Sequence, residues 1–91
     1  MDRESFNTYV LAWAKRIGVA HKVKEIHLRP MKRKIASCST KGRLTFDPSI
    51  LSKDMKELDY IVVHELMHLR YPNHGKLFKA VLSSYLNSRV V

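Results

Sequence analysis

The sequence predicts one small α+β domain over residues 1–91: an N-terminal helix, a three-stranded and mostly antiparallel sheet, a central helix and a C-terminal helix. Three observations predict it. Apolar residues recur at helical spacing in three separate stretches. Between the first and second of these lie short runs punctuated by Pro30, Gly42 and Pro48, the pattern of brief strands and turns. A chain of 91 residues suffices for a single core, since it buries roughly 60–70% of the surface its unfolded form exposes.

The elements follow in order. From Ser5 to Ile17 the apolar residues Phe6, Tyr9, Val10, Trp13 and Ile17 share one helix face, and Gly18 is placed to stop it. Trp13 is read as core, because large aromatics at this spacing pack inward. Val23, Ile26 and Leu28 mark a first strand, ended by Pro30. Lys34 to Thr40 reads as a second strand and Arg43 to Phe46 as a third. Thr40-Lys41-Gly42 forms the hairpin turn between them, with Gly42 free to take φ > 0. Ser52 is a candidate N-cap for the central helix, with Asp54 and Glu57 early, where acids suit the helix dipole. Asp47 with Pro48 is an alternative start. The helix runs through Leu58, Ile61, Val62, Leu66 and Leu69 to about Arg70, before Pro72. A last helix from about Gly75 to Asn87 carries the stripe Leu77, Phe78, Val81, Leu82, Tyr85 and Leu86, with Asn73 as its candidate cap.

Composition and charge narrow the function. An apolar share of 45% with 27% charged residues excludes a disordered or low-complexity chain. The run Tyr60 to Val63 is too short to span a bilayer. Asp2 and Glu4 at the start do not suit a signal peptide. Cys38 is the single cysteine, so a reducing, cytoplasmic setting is expected. The formal charge is +9. Most of it lies in residues 21–43, where Lys22, Lys24, Arg29, Lys32, Arg33, Lys34, Lys41 and Arg43 face Glu25 alone. Such a stretch attracts anions, or simply solvates one face of the domain.

The chemistry concentrates in His64-Glu65-Leu66-Met67-His68. Positions i and i+4 share a helix face, so His64 and His68 can reach one metal ion. Glu65 projects beside that ion, where a carboxylate can take a proton from the attacking water. His74 follows six residues after His68, past the turn at Tyr71-Pro72, and can swing back as a third ligand. Three ligands and one open position are the pattern of catalytic zinc, and imidazole favours zinc over magnesium or calcium. Two packing histidines with an exposed glutamate are the alternative. His21 and His27 have no partner at ligand spacing and read as surface or packing residues. Cys38 between Ser37 and Ser39 reads as a small buried hydrophobe; a thiolate blocking the open metal position is the sharper alternative. Arg70, Tyr71 and Tyr85 are the nearby groups that could polarise a carbonyl, although packing is preferred for each.

On these residues, from Tyr60 to His68 and then Pro72-Asn73-His74-Gly75-Lys76-Leu77-Phe78, with the Ser37 to Gly42 hairpin before them, the sequence resembles the minigluzincins. These are minimal single-domain zinc metallopeptidases, similar to the catalytic domains of integral-membrane metallopeptidases. The resemblance implies a zincin-like fold. It implies one zinc ion on His64, His68 and His74, with Glu65 as general base. It also implies an outer strand that holds a peptide or protein substrate antiparallel to itself by strand addition, which points to Ala36, Ser37, Cys38 and Ser39. Family members are viewed as latent, with C-terminal segments over the cleft. Here the chain closes on Arg89-Val90-Val91, so the last helix or a second subunit would supply the cover.

Three other functions compete. Some relatives with this motif are linked to nucleotide phosphate hydrolysis, which would suit the basic stretch. The segment Asn73 to Phe78 also resembles DNA-associated HExxH proteases; nucleic acid is the less favoured partner, because those proteins carry extra binding modules. The third is a non-catalytic zinc module for partner assembly. The apolar stripe Leu77 to Leu86 raises the further expectation of a homodimer through the C-terminal helix.

Overall fold

Helix α1 (Arg3–Ile17) begins where the Asp2 carboxylate accepts a hydrogen bond from the Ser5 amide at 2.7 Å, satisfying an otherwise orphaned donor. It ends at Gly18, whose φ of 88° lets its N–H turn back to the carbonyls of Ala14 and Lys15. The computed structural model describes residues 1–88, so the expectation attached to Arg89, Val90 and Val91 lies outside the described residues. After a 3₁₀ turn at Ala20–Lys22 come strands β1 (Glu25–Leu28), β2 (Ala36–Cys38) and β3 (Arg43–Phe46). A second 3₁₀ turn (Pro48–Ser52) precedes helix α2 (Met55–Met67), and helix α3 (Lys76–Ser88) closes the described chain.

The sequence places a helix start at either Asp47 or Ser52, and both the capping aspartates that act lie elsewhere or do less than expected. Asp47 caps only the short 3₁₀ turn, through the Ser49 amide at 2.9 Å. Asp54 caps α2, accepting from the Glu57 amide at 2.9 Å. Ser52 spends its hydroxyl on the Ser49 carbonyl at 3.0 Å instead.

The sheet corrects one expectation. It is mixed rather than mostly antiparallel, with strand order β1-β3-β2. β3 runs antiparallel to β2, with Ser37 opposite Thr45, and parallel to β1, with Ile26 opposite Leu44. The cause is the loop Arg29–Ile35, which carries the chain past the space beside β1. The hairpin then returns β3 into that space. The central position of β3 explains why Leu44 and Phe46 are fully buried, whereas β1 and β2 are half-exposed edges.

α2 lies at the centre, with α1 and α3 as neighbours and β2 alongside. Its buried residues Leu58, Asp59, Val62, Val63, Leu66 and Met67 occupy more than one face, as a helix surrounded by other elements requires. Phe6 of α1 meets Phe46 of β3 edge to face, with centroids 5.0 Å apart. Trp13 is core, as expected, and its indole N–H donates to the buried Asp59 carboxylate at 3.1 Å. The ends of α1 and α2 are cross-tied by cations. Arg70 donates to the Ile17 carbonyl at 3.2 Å, and Lys22 donates to the Leu69 carbonyl at 3.1 Å. Each cation sits where a helix presents unpaired carbonyls.

Candidate metal centre and peptide cleft

The last turns of α2 place His64 and His68 on one face, with ring centroids 5.0 Å apart. His68 is the C-cap, and the chain then tightens, the Tyr71 amide donating to the Met67 carbonyl at 2.7 Å. Pro72 prevents further helix, and the turn before α3 carries His74 back over the two rings. One ligand atom from each of His64, His68 and His74 lies within 4.8 Å of the others. His74 Nε2 is 3.0 Å from His68 Nε2. Two nitrogens on one tetrahedral zinc are roughly 3.4 Å apart, given bond lengths of about 2.0–2.1 Å. His68 and His74 therefore stand close to ligand spacing, with a His64 nitrogen within 4.8 Å of both, and the donor set is one that zinc favours over harder cations.

Phe78, from the first turns of α3, clamps this cluster. Its ring centroid lies 5.4, 5.2 and 4.8 Å from those of His64, His68 and His74, and it is buried. Sequence reading assigns Phe78 to the apolar stripe and misses this contact, because periodicity along α3 says nothing about a turn that folds back from α2. Tyr60 stacks on His64, with centroids 5.9 Å apart. His68 is held below the usual histidine pKa, first by burial and then by the neighbouring His64 and His74; Glu65 opposes the shift. Its neutral form, the one that ligates a metal, is thus favoured.

Glu65 is mostly buried, with one carboxylate oxygen 3.2 Å from His64 Nδ1. It also lines a cleft of about 400 Å³, together with His68, Pro72, Lys34 and residues 36–40 of β2 and its turn. Of the four expected substrate contacts, all line this cleft, but their backbones divide. The Ile35 carbonyl accepts from Asp47 and the Ser39 amide donates to Arg43, so residues 35, 37 and 39 turn their main-chain groups to β3. By alternation, Ala36 and Cys38 present theirs to the open edge. Burial, and secondly the Glu65 charge, push the Cys38 thiol up to about 11. It stays protonated and packs against the core, as a small hydrophobe does. Arg70, Tyr71 and Tyr85 are absent from the lining of this cleft. Arg70 caps α1, and Tyr85 meets Trp13 edge to face at 6.4 Å. His21 and His27 lie outside the cluster; His27 contacts Glu25 at 3.2 Å.

With this geometry in place, a family model described as "YgjP-like, metallopeptidase domain" matches residues 2–89. The chain belongs to the YgjP-like metallopeptidase family. Among solved structures, the YgjP-like domain is similar to the metallopeptidase zymogen of Pyrococcus abyssi abylysin, with a TM-score of 0.75 and 27% identity over 93% of this chain and 90% of that one. It is likewise similar to the metallopeptidase zymogen of Methanocaldococcus jannaschii jannalysin, with a TM-score of 0.78 and 28% identity over 93% of this chain and 79% of that one. An uncharacterized protein of Methanocaldococcus jannaschii, MJ0123, is 38% identical over 66 residues, which is 68% of this chain. The match spans 60% of the length of that relative. Among the described residues of the YgjP-like domain, no helix is long and apolar enough to cross a membrane.

Proposed function

We propose that this chain is a zinc-dependent metallopeptidase that cuts a peptide laid along the open edge of β2. The observation that carries the reading is the convergence of three imidazole nitrogens within 4.8 Å, beside a carboxylate that opens into a cleft walled by that edge. His64, His68 and His74 would hold one ion. Zinc bound there supplies Lewis-acid polarisation of a carbonyl and a water of lowered pKa.

The chain's own residues do the rest. The outward N–H and C=O groups of Ala36 and Cys38 pair with the substrate backbone, which fixes its extended form and its register. Ser37 and Ser39 keep β2 locked to β3 while this happens. The Glu65 carboxylate accepts a proton from the attacking water as the new C–O bond forms. It returns that proton to the amide nitrogen as the C–N bond breaks. One water is consumed for each bond cut. Positioning along the strand converts a loose encounter into a near-attack arrangement.

The proposal includes a latent state, extended from the abylysin and jannalysin zymogens, and a reducing cytoplasmic setting, extended from the single cysteine. Turnover of an unstructured peptide after a lag supports latency; full rate from the first moment removes it. Glu65→Gln should retain the metal and lose hydrolysis by roughly 10²–10⁴-fold, the usual weight of a general base. His74→Ala should lower metal content. Emission spectroscopy on both proteins and a peptide assay decide the matter. Wild-type turnover in metal-loaded Glu65→Gln would overturn the role of Glu65, and a purified wild type free of transition metal would overturn the site.

A further inference from the structure

We propose that the basic loop between β1 and β2 forms a specificity pocket for acidic side chains of the substrate, on the carboxyl side of the bond that is cut. The inference rests on the metallopeptidase reading and adds the substrate class. Beside the cleft lies a second hollow of about 680 Å³, lined by Arg29, Lys32, Arg33 and Lys34 with Ser37 and Thr45. Lys34 and Ser37 line both hollows, so the two meet at the edge of β2. Ser37 and its partner Thr45 lie on the sheet face opposite the buried Ala36, Leu44 and Phe46, and alternate side chains of a peptide added to that edge reach this outer face.

The four cations of this hollow are exposed, and among the described residues no salt bridge involves them. The acids within reach are already engaged. Glu25 holds Arg43 at 3.0 Å and contacts His27 at 3.2 Å. Asp47 accepts from the Met31 amide at 2.9 Å and from the Ser49 amide at 2.9 Å, which offsets part of the local field and also fastens the loop. The Arg29 amide donates to the Phe46 carbonyl at 2.9 Å, and the Asp47 amide donates to the Ile35 carbonyl at 2.8 Å. The loop backbone is therefore pinned at three points, and the cations project from a fixed base. A preorganised cluster of like charge attracts an opposite charge without first ordering itself.

Strand polarity decides which part of a substrate meets the hollow. A peptide adds to an edge more stably in the antiparallel sense. Its direction then opposes that of β2, so the residues after the cut run from the Glu65 region toward Lys34 and the loop. No aromatic residue lines the hollow, so it lacks the stacking surface that single-stranded nucleic acid uses, and an acidic peptide is the occupant it fits.

The test uses metal-loaded Glu65→Gln protein and labelled peptides with three Glu after the central bond, three Glu before it, or Gln at all six places. Fluorescence anisotropy at low salt should show the first bound about tenfold more tightly than the other two, with the gap closing by about 0.5 M salt. Combining Lys32→Glu and Arg33→Glu, both exposed positions, should abolish the preference and leave cleavage of the Gln peptide by the otherwise wild-type protein unchanged. Equal affinities, a preference for Glu before the bond, or a preference that survives the double variant would each overturn the proposal. Tighter binding of a single-stranded oligonucleotide of equal charge would overturn it in favour of nucleic acid. If the wild type cleaves no peptide even after prolonged incubation, the metallopeptidase reading fails and this proposal with it; if it cleaves the Gln peptide and the binding series shows no preference, this proposal alone fails.

Discussion

At the scale of the residue, the site depends on His68 staying uncharged. His68 has a pKa below the ordinary 6.5, chiefly through burial. A group whose folded pKa is depressed contributes stability that is complete above its unfolded value and fades as pH falls toward the folded one. The metal-free protein should therefore lose thermal stability as the pH drops below about 6.5, and His68→Gln should flatten that slope. Melting curves in chelator from pH 8 to 5 provide the measurement, and parallel profiles for the two proteins would refute the assignment. The two histidines on the helix and the glutamate between them were legible from spacing alone, since a 3.6-residue period fixes which side chains share a face. His74 was legible as a candidate only through the turn at Pro72. Phe78 and Asp59 were not legible in those roles. Phe78 looked like any residue of an apolar stripe. Asp59 was an acid one turn before Val63 on a buried face, a pattern that does signal an internal partner, although nothing in sequence says that Trp13 would be that partner.

At the scale of the element, two joints hold the site in shape. The first is the hairpin between β2 and β3. Gly42 has φ 93°, and a Cβ there would run into the Lys22 carbonyl oxygen. Its own carbonyl accepts from the amides of Lys24 and Glu25 at 2.8 and 3.2 Å. Gly42→Ala should lower stability by about 1–3 kcal/mol, the cost of left-handed backbone in a residue with a side chain, and the close approach adds to it. Denaturant titration checks this; a loss under about 0.5 kcal/mol would show that the turn relaxes freely. The second joint is the packing of α3 on α2. Phe78→Ala should cost about 3–5 kcal/mol and weaken metal retention, because three rings lose their shared neighbour. Phe78→Leu should restore most of the stability but less of the metal affinity. If Leu restores both equally, the ring acts by volume alone. Sequence reading located the three α-helices and three strands but ran the central helix on to Arg70, past its end at Met67, and lengthened β2, which pairs only over Ala36–Cys38. Hydropathy marks where a strand could form, whereas the register with β3 decides where it does. The parallel pairing of β1 with β3 was hidden for the same reason, since strand order is a tertiary outcome.

At the scale of the whole molecule, one core joins all of the elements. The stripe on α3 that suggested a dimer is largely absorbed by it: Phe78 and Leu82 are buried, Val81, Tyr85 and Leu86 pack against the core, and Leu77 is left outward at 61% exposure. The bond from Trp13 to Asp59 ties α1 to the helix that carries the histidines. Trp13→Phe removes one donor from the buried Asp59 carboxylate, which should cost about 1–3 kcal/mol. Asp59→Asn in the same background should recover little, because the indole that fits it is gone. A double-mutant cycle by thermal melts gives the coupling, and additive losses would show that the two groups act independently.

An edge strand such as β2 is available to a second copy of itself as well as to a peptide. If two molecules met through β2 in antiparallel fashion about Ser37, the Arg33–Lys34 end of one would lie against the Thr40–Lys41 end of the other. Like charges would then oppose each other at both extremities of the joint. The cations around β2 thus oppose edge-to-edge pairing of two copies, and neutralising Arg33 or Lys41 would be expected to raise the protein's tendency to self-associate.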